Sequence, residues 1–131
     1  MPKARSKKSK RSPTTRVSYE TVCRIGLALP GVEESTSYGT PSLKVAGKFL
    51  CRLKEDGDTL ALRIGFEQRE MLMETEPKTF FITDHYLNYP AILVRLPRIG
   101  AAKLAAILEE AWRFSAPARL QAARRTLSAK K

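Results

Sequence analysis

The 131-residue chain has room for one domain, and its 43% of hydrophobic residues is enough to form a core. Its 24 lysines and arginines outnumber its 13 aspartates and glutamates, which gives a formal charge of +11. No segment approaches the roughly 20 apolar residues of a membrane span, and no apolar stretch of about 7–15 residues follows the basic N-terminus. A cytoplasmic protein without a membrane partner is therefore expected.

The excess charge is concentrated at the two ends of the chain. Residues 1–16 contain seven lysines or arginines, residues 118–131 contain five, and neither segment contains an acid. Residues 17–117 hold the other twelve bases and all thirteen acids, so their net charge is −1. We predict a folded domain over 17–117, a disordered basic arm over 1–16 and a basic tail over 118–131. Such segments attract polyanions, although many charge runs only improve solubility.

The first predicted element is a helix that begins after the basic arm. Ser18 can cap it, and apolar residues recur at helical spacing over the next turns. Pro30 disfavours helical geometry before it and Gly31 permits a turn, so the helix should end there. Residues 32–41 are polar, and extended structure is expected only near residues 35–38. The apolar positions of the helix are Tyr19, Val22, Cys23, Ile25 and Leu29.

Three alternating segments follow, SLKV, KFLCRLK and TLALRI, and each predicts an antiparallel strand with one dry face. Asp56-Gly57 is a strong hairpin signal, and the pairing it sets brings Leu53 opposite Leu60 and Cys51 opposite Leu62. AGK at 46–48 predicts a second hairpin, which needs an odd loop or a bulge. The residues predicted to face inward are Leu43, Val45, Phe49, Cys51, Leu53, Leu60, Leu62 and Ile64, while Leu50 is predicted to face outward.

The last third of the chain predicts a helix, one or two strands and a helix. EQREMLMETEP indicates a short helix ended by Pro77, KTFFI is a candidate strand, and AILVRL is a nearly continuous apolar strand. The final helix has apolar residues at Leu104, Ile107, Leu108, Ala111 and Trp112. The order of elements predicts an α+β two-layer sandwich, an antiparallel sheet with helices on one face and water on the other.

The predicted solvent face of the sheet is basic. No acid is expected within the strands on that face, so the cations would form a patch able to contact phosphates. The alternative is that these residues only keep an exposed sheet soluble and protect its edges. The cations are Lys44, Arg52, Lys54, Arg63 and Arg95, with Lys48 at the edge of the face.

The stretch TDHYLNYP at residues 83–90 contains the only histidine of the chain. The first interpretation is structural, a loop braced before the AILVRL strand by its tyrosine rings. The second is binding, because aromatic rings beside basic residues can stack on bases. A small-molecule or protein-partner site would comprise Tyr38, His85, Tyr86 and Tyr89.

Catalytic and metal-binding motifs are incomplete in this sequence. There is no glycine-rich phosphate loop, no nucleophile elbow and no zinc-protease motif. Cys23 and Cys51 stand alone on apolar faces, so buried, reduced thiols are expected. No catalytic residue, metal or cofactor is therefore predicted, and a binding protein is favoured over an enzyme.

The ordered series "LPGVEES", "YGTPSLKVAGKFL" and "HYLNYPAILVRL" resembles the MmcQ/YjbR family over about residues 17–120. The resemblance implies a bacterial protein with a frataxin-like (CyaY-like) α+β fold in a double-wing arrangement. It also implies DNA binding, the label these proteins commonly carry, which rests on fold comparison. The matching positions would be Lys44, Lys48, Arg52, Arg63 and Arg95. The iron role of frataxins, which have an acidic first helix, is not implied, because only Glu20 is acidic here.

Overall fold

The computed structural model describes residues 17–122 of the chain. The predicted arm at 1–16 and residues 123–131 of the predicted tail lie outside them. No helix within 17–122 is long and apolar enough to cross a membrane. The elements are α1 (Tyr19–Gly26), β1 (Val32–Ser37), β2 (Thr40–Val45), β3 (Lys48–Leu53), β4 (Thr59–Arg63), α2 (Phe66–Thr75), β5 (Phe80–Phe81), β6 (Ala91–Arg95) and α3 (Ala101–Ser115).

The described strands form one antiparallel sheet in the order β1-β2-β3-β4-β6-β5. Helices α1, α2 and α3 contribute to a single hydrophobic cluster with one side of this sheet, through residues such as Val22, Leu72 and Leu108. The α+β sandwich predicted from the order of elements is therefore confirmed. Two-layer packing follows because the sheet and each helix bury one apolar face against the other.

The β3–β4 hairpin has the predicted register. Leu53 lies opposite Leu60 and Cys51 lies opposite Leu62. The turn is stabilised by the Asp56 carboxylate, which accepts hydrogen bonds from the Thr59 N–H at 2.9 Å and the Thr59 hydroxyl at 2.8 Å. An aspartate that bonds the backbone after it is a common way to fix a tight turn.

The β2–β3 hairpin contains a bulge, which the sequence pattern allowed as one way to keep the alternation of sides. The bulge corrects the predictions that Phe49 faces inward and that Leu50 faces outward. Its turn residues Ala46 and Gly47 both have positive φ, 51° and 82°, as a two-residue hairpin turn requires. Leu43 pairs with Cys51 whereas Lys44 pairs with Phe49, so Leu50 is the extra residue. A bulge reverses the alternation of sides. Leu50 is therefore fully buried in the core and Phe49 lies beside Lys44 on the other face.

Strand β1 is longer than the sequence pattern predicts. Val32 is its one buried residue, and its other positions are exposed or half-buried. The strand forms because β2 offers it a complete register, from Val32 opposite Val45 to Ser37 opposite Thr40. It is an edge strand, and polar residues on an edge discourage pairing with another chain.

Helix α3 is the main cover of the core, and every apolar position predicted for it is buried. Trp112 is completely buried, and its indole N–H donates to the Pro30 carbonyl at 2.8 Å. Residues 118–122 are helical, and Leu120 packs against the core. Gly31 has a φ of +76°, which favours glycine, and a Cβ at this position would also displace a Leu120 methyl 2.5 Å away.

Candidate functional site

The register fixes which cations share a face of the sheet. Arg52 lies opposite Ser42 and Ala61, and Ala61 lies opposite Leu93. Opposite residues point to the same side, and so do alternate residues along a strand. Ala61 and Leu93 are not part of the helix-side core, so this row lies on the opposite side, called here the second face. The cations that start from it are Lys44, Arg52, Lys54, Arg63 and Arg95.

Lys48 is placed differently from the other five predicted cations. It pairs with Val45, which is buried in the helix-side core. Lys48 therefore starts from the helix side of the sheet, at the exposed end of the β2–β3 hairpin.

The second face is covered at its centre, which corrects the prediction of a fully hydrated surface. Ala61 and Leu93 are each only 2% exposed, and Arg52 is 7% exposed. The loop over residues 83–90 reaches across this face, since Lys54 Nζ lies 3.4 Å from the Tyr86 hydroxyl. The physical reason is that two neighbouring apolar residues on that face gain free energy by leaving water.

Acids share the second face, which corrects the expectation that no strand acid lies there. Glu33 of β1 lies directly opposite Lys44. A Glu55 oxygen lies 3.4 Å from Arg52 Nη1. A hydrogen bond from its own backbone lowers the pKa of Glu55, and Arg52 lowers it further. The face is therefore less basic than the sequence predicts, because β1 brings Glu33 onto it and Glu55 lies beside Arg52.

Several cations of the second face lie against aromatic rings. In each case a guanidinium or ammonium group sits within the distance at which a ring attracts a cation, about 6 Å. The three pairs, with the distance from the cation to the ring centre, are Arg52–Tyr38 at 5.0 Å, Lys54–Tyr86 at 5.4 Å and Arg95–Phe81 at 3.9 Å. These six residues are called here the cation–aromatic surface.

The cations of this surface lie close to one another. Arg52 and Lys54 are alternate residues of the same chain segment. The Lys54 N–H donates to the Thr59 carbonyl at 2.8 Å, and Thr59 lies opposite Arg95. Two strand spacings, about 10 Å, therefore separate Lys54 from Arg95. Arg63 is not part of this group, because its guanidinium stacks on Phe114 of α3 at 5.1 Å.

The predicted alternative ligand site joins the same surface. His85 lies in a 3-10 turn at Asp84–Tyr86, and its ring is 5.1 Å from that of Tyr86 and 6.2 Å from that of Tyr89. Tyr38 is connected to these rings through Arg52 and Lys54. The residues of the predicted alternative site thus form one row with Arg52 and Lys54, from Tyr38 at 85% exposure to Tyr89 at 60%. Of the predicted cations, Lys48 and Arg63 lie outside this row.

Arg69 of α2 holds the 83–90 loop in place, and the sequence-based prediction missed it. The residue is 3% exposed. Its Nη1 donates to the carbonyls of Tyr86, Tyr89 and Ala91 at 2.9, 2.8 and 3.1 Å, and Nη2 donates to that of Leu87 at 3.1 Å. The planar guanidinium group is charged and carries several N–H donors, so it suits carbonyl acceptors that converge on one point.

A signal for Arg69 was present in the sequence. Phe66, Arg69 and Leu72 recur every three residues, so the arginine lies on the buried side of the helix. Its guanidinium also stacks on the Phe66 ring at 4.8 Å. An arginine on an apolar helical face indicates a buried partner, in this case the main chain of a loop almost twenty residues later.

The Asp56 carboxylate is occupied by its own turn. Burial raises its pKa, but hydrogen bonds from Asp58 and Thr59 outweigh that effect and the pKa is lowered. Asp56 and Asp58 line a shallow depression of about 390 Å³ together with Thr59, Phe81, Arg95, Pro97 and Arg98. Carboxylates and guanidinium groups therefore face one another at this end of the sheet.

The thiols do not form a reactive site. Cys23 and Cys51 are both free; Cys51 is fully buried as predicted, whereas Cys23 is only half-buried. Burial raises the pKa of both thiols and also that of the neighbouring Tyr19 hydroxyl. The thiolate is the nucleophile, so neither cysteine is activated. Within residues 17–122, no three His, Cys, Asp or Glu side chains are grouped as metal ligands.

These features define an α+β protein with a mixed cationic and aromatic surface on the second face of its sheet. The YjbR family model matches residues 27–114. The chain belongs to the YjbR family.

The chain is also similar to uncharacterized mycobacterial proteins and to one solved structure. The chain is 38% identical over 65 residues to the uncharacterized proteins Rv2570 of Mycobacterium tuberculosis and Mb2600 of Mycobacterium bovis. The match covers 49% of the chain and 50% of each relative, so the chain spans about half the length of these curated relatives. The crystal structure of Deinococcus radiodurans protein DR2400, with a DUF419 domain, superposes with a TM-score of 0.61 at 19% identity, covering 75% of this chain and 77% of that one. That likeness shows the fold.

Proposed function

We propose that this protein binds nucleic acid with little sequence preference. The cation–aromatic surface would be the contact area of the folded domain, and the basic ends of the chain would add phosphate contacts. The observation that supports this is the placement of Arg52, Lys54 and Arg95 beside aromatic rings at one end of the sheet. Phosphate contacts give affinity without reading base edges.

The distribution of charge supports two separate contributions. Residues 17–122 contain thirteen bases and thirteen acids, so the +11 of the chain comes from residues 1–16 with seven bases and residues 123–131 with four. A neutral domain contributes through the local placement of its cations, whereas the ends contribute through long-range attraction. Binding should therefore weaken steeply as salt rises.

The cations of the surface have different roles in this proposal. Lys54 and Arg95 would contact phosphates. Arg52 is held by Thr40 and Glu55 and would support Tyr38 instead. Lys44 would flank the surface, whereas Lys48, on the helix side of the sheet, and Arg63, which stacks on Phe114, would contribute least.

Charge reversal in the full chain tests the proposal. Fluorescence anisotropy with labelled oligonucleotides would compare Lys54→Glu and Arg95→Glu with Arg24→Glu, which makes the same change at an exposed position on α1. Each surface variant should weaken binding to every sequence and reduce the salt slope by about one. Equal losses for Arg24→Glu and Arg95→Glu would mean that only total charge matters and that the domain has no contact surface.

A second candidate function is binding of a small molecule or a partner protein at Tyr38, His85, Tyr86 and Tyr89. It is favoured by the loop that Arg69 fixes through four carbonyl contacts, because a rigid loop loses less entropy on binding. Native mass spectrometry of the purified protein would reveal a retained ligand, and Tyr89→Ala should release it. In both proposals the protein binds in the cytoplasm and does not catalyse a reaction.

A further inference from the structure

Tyr38 occupies a backbone position that disfavours a bulky side chain. It has a φ of 55° and is followed by Gly39 at 81°, so both turn residues between β1 and β2 are left-handed. Such hairpin turns favour Asn-Gly because each L-residue in this region costs about 1–2 kcal/mol. A tyrosine here is an outlier that calls for a compensating role.

The fold gains little from the Tyr38 ring. The residue is 85% exposed, so burial of its apolar surface offsets almost none of the backbone cost. The ring lies against the Arg52 guanidinium, 5.0 Å from the ring centre. That interaction is worth about 0.5–1 kcal/mol at an exposed site. The ring is therefore positioned for contact with something outside the domain.

Arg52 is fixed beneath this ring. It is 7% exposed, and its Nη1 donates to the Thr40 hydroxyl at 3.0 Å and lies 3.4 Å from Glu55. A guanidinium that is already paired contributes little new phosphate attraction. It can instead hold Tyr38 in one orientation, which lowers the entropy that the ring loses on binding.

We propose that the cation–aromatic surface binds unpaired nucleotides, with Tyr38 as the main stacking residue. This inference rests on the proposed function and specifies its substrate as single-stranded nucleic acid. Base faces are covered by their neighbours in a duplex, whereas in a single strand they are open to aromatic rings. The exposed Tyr38 ring, which lies against Arg52, offers a stacking surface, and Lys54 and Arg95 at the same end of the sheet offer phosphate contacts.

The test uses the full chain and three labelled probes of about 12 nucleotides, within the range of about 4–16 that a single-strand binding domain covers. The probes are oligothymidylate, a duplex of the same length, and an abasic strand that has phosphates but no bases. Tyr38→Asn removes the ring and suits the left-handed turn. Tyr38→Phe keeps the ring and serves as the matched control.

Tyr38→Asn should weaken oligothymidylate binding by about 5- to 150-fold, the range that stacking of one base provides. Its affinity for the abasic strand and the duplex should not change, and Tyr38→Phe should bind like the unaltered protein. A thermal melt of Tyr38→Asn equal to or above that of the unaltered protein would show that the loss is not caused by unfolding.

Two results would overturn the inference while leaving the proposed function intact. One is equal binding of the unaltered protein to all three probes. The other is an unchanged oligothymidylate affinity in Tyr38→Asn. A free nucleoside monophosphate could also compete with the labelled strand. If it competed as strongly as unlabelled strand at the same nucleotide concentration, the inference would be refuted, because the site would then bind small molecules. Failure to bind any probe would refute both proposals.

Discussion

Replacing Arg69 by methionine should loosen the loop that covers the second face. Methionine keeps much of the side-chain length but donates no hydrogen bond, so four carbonyls lose contacts of 2.8–3.1 Å. A hydrogen bond to a charged group contributes about 1.5–3 kcal/mol, and such contributions are not additive. The desolvation cost of the guanidinium is recovered, and the exposed loop can hydrate some of its carbonyls. The expected loss is about 3 kcal/mol, similar to that for removal of other buried charged partners.

Urea unfolding followed by circular dichroism would measure this loss. With a slope of about 1–3 kcal/mol per molar urea, the midpoint should fall by about 1–3 M. Arg69→Lys retains the charge but not the planar set of guanidinium donors, so its loss of stability should be smaller than that of Arg69→Met. Arg113→Met is the matched control, because Arg113 is exposed and bonds Glu109 within one helix. It should cost about 0.5 kcal/mol or less.

Hydrogen exchange would locate the effect in the chain. The N–H groups of Leu87 and Tyr89 donate within the loop, at 3.1 Å to each acceptor. They should exchange faster in Arg69→Met, while the amides of β4 serve as an internal reference. A variant as stable as the unaltered protein, or with unchanged loop exchange, would refute the role assigned to Arg69.

Two further predictions concern protonation. The pKa of Asp56 is lowered in the folded state, so its contribution to the free energy of unfolding is complete above about pH 4, the ordinary aspartate value, and is lost as pH falls through the lower folded-state pKa. Asp56→Ala should therefore lower the free energy of unfolding by about 1 kcal/mol at neutral pH and make it depend less on pH in acid. Asp58→Ala is the control, and an unchanged pH dependence in acid for Asp56→Ala would contradict the prediction. Burial raises the pKa of Cys51 and excludes reagent, so iodoacetamide near pH 8 should modify this thiol only after unfolding. Mass spectrometry would follow the modification, and equal rates in native and denatured protein would contradict the buried position of Cys51.

Some elements follow directly from the sequence. The apolar positions of α3 recur at the helical period, and each of them is buried. The β3–β4 register follows from alternation on both sides of a two-residue turn signal, so Cys51 lies opposite Leu62 as predicted. In both cases the deciding information lies within about fifteen residues, and backbone geometry converts it into structure without distant contacts.

Other elements depended on the whole sheet. The sequence indicated that a bulge could occur near residues 46–48 but not where, and its position at Leu50 decides whether Phe49 or Leu50 is buried. Strand β1 has little apolar pattern of its own and forms because β2 supplies its hydrogen-bond partners. Hence Glu33 could not be placed beside Lys44 from local pattern alone.

The sequence by itself determined the α+β class, the main helices, the central hairpin and the set of cations on the second face. Only the tertiary structure decided the state of those cations, since the ring beside Lys54 belongs to Tyr86 and the acceptors of Arg69 belong to residues 86–91. Periodicity reports which side of an element a residue occupies. The solvation and partners of a charge depend on segments distant in the chain, which local periodicity does not encode.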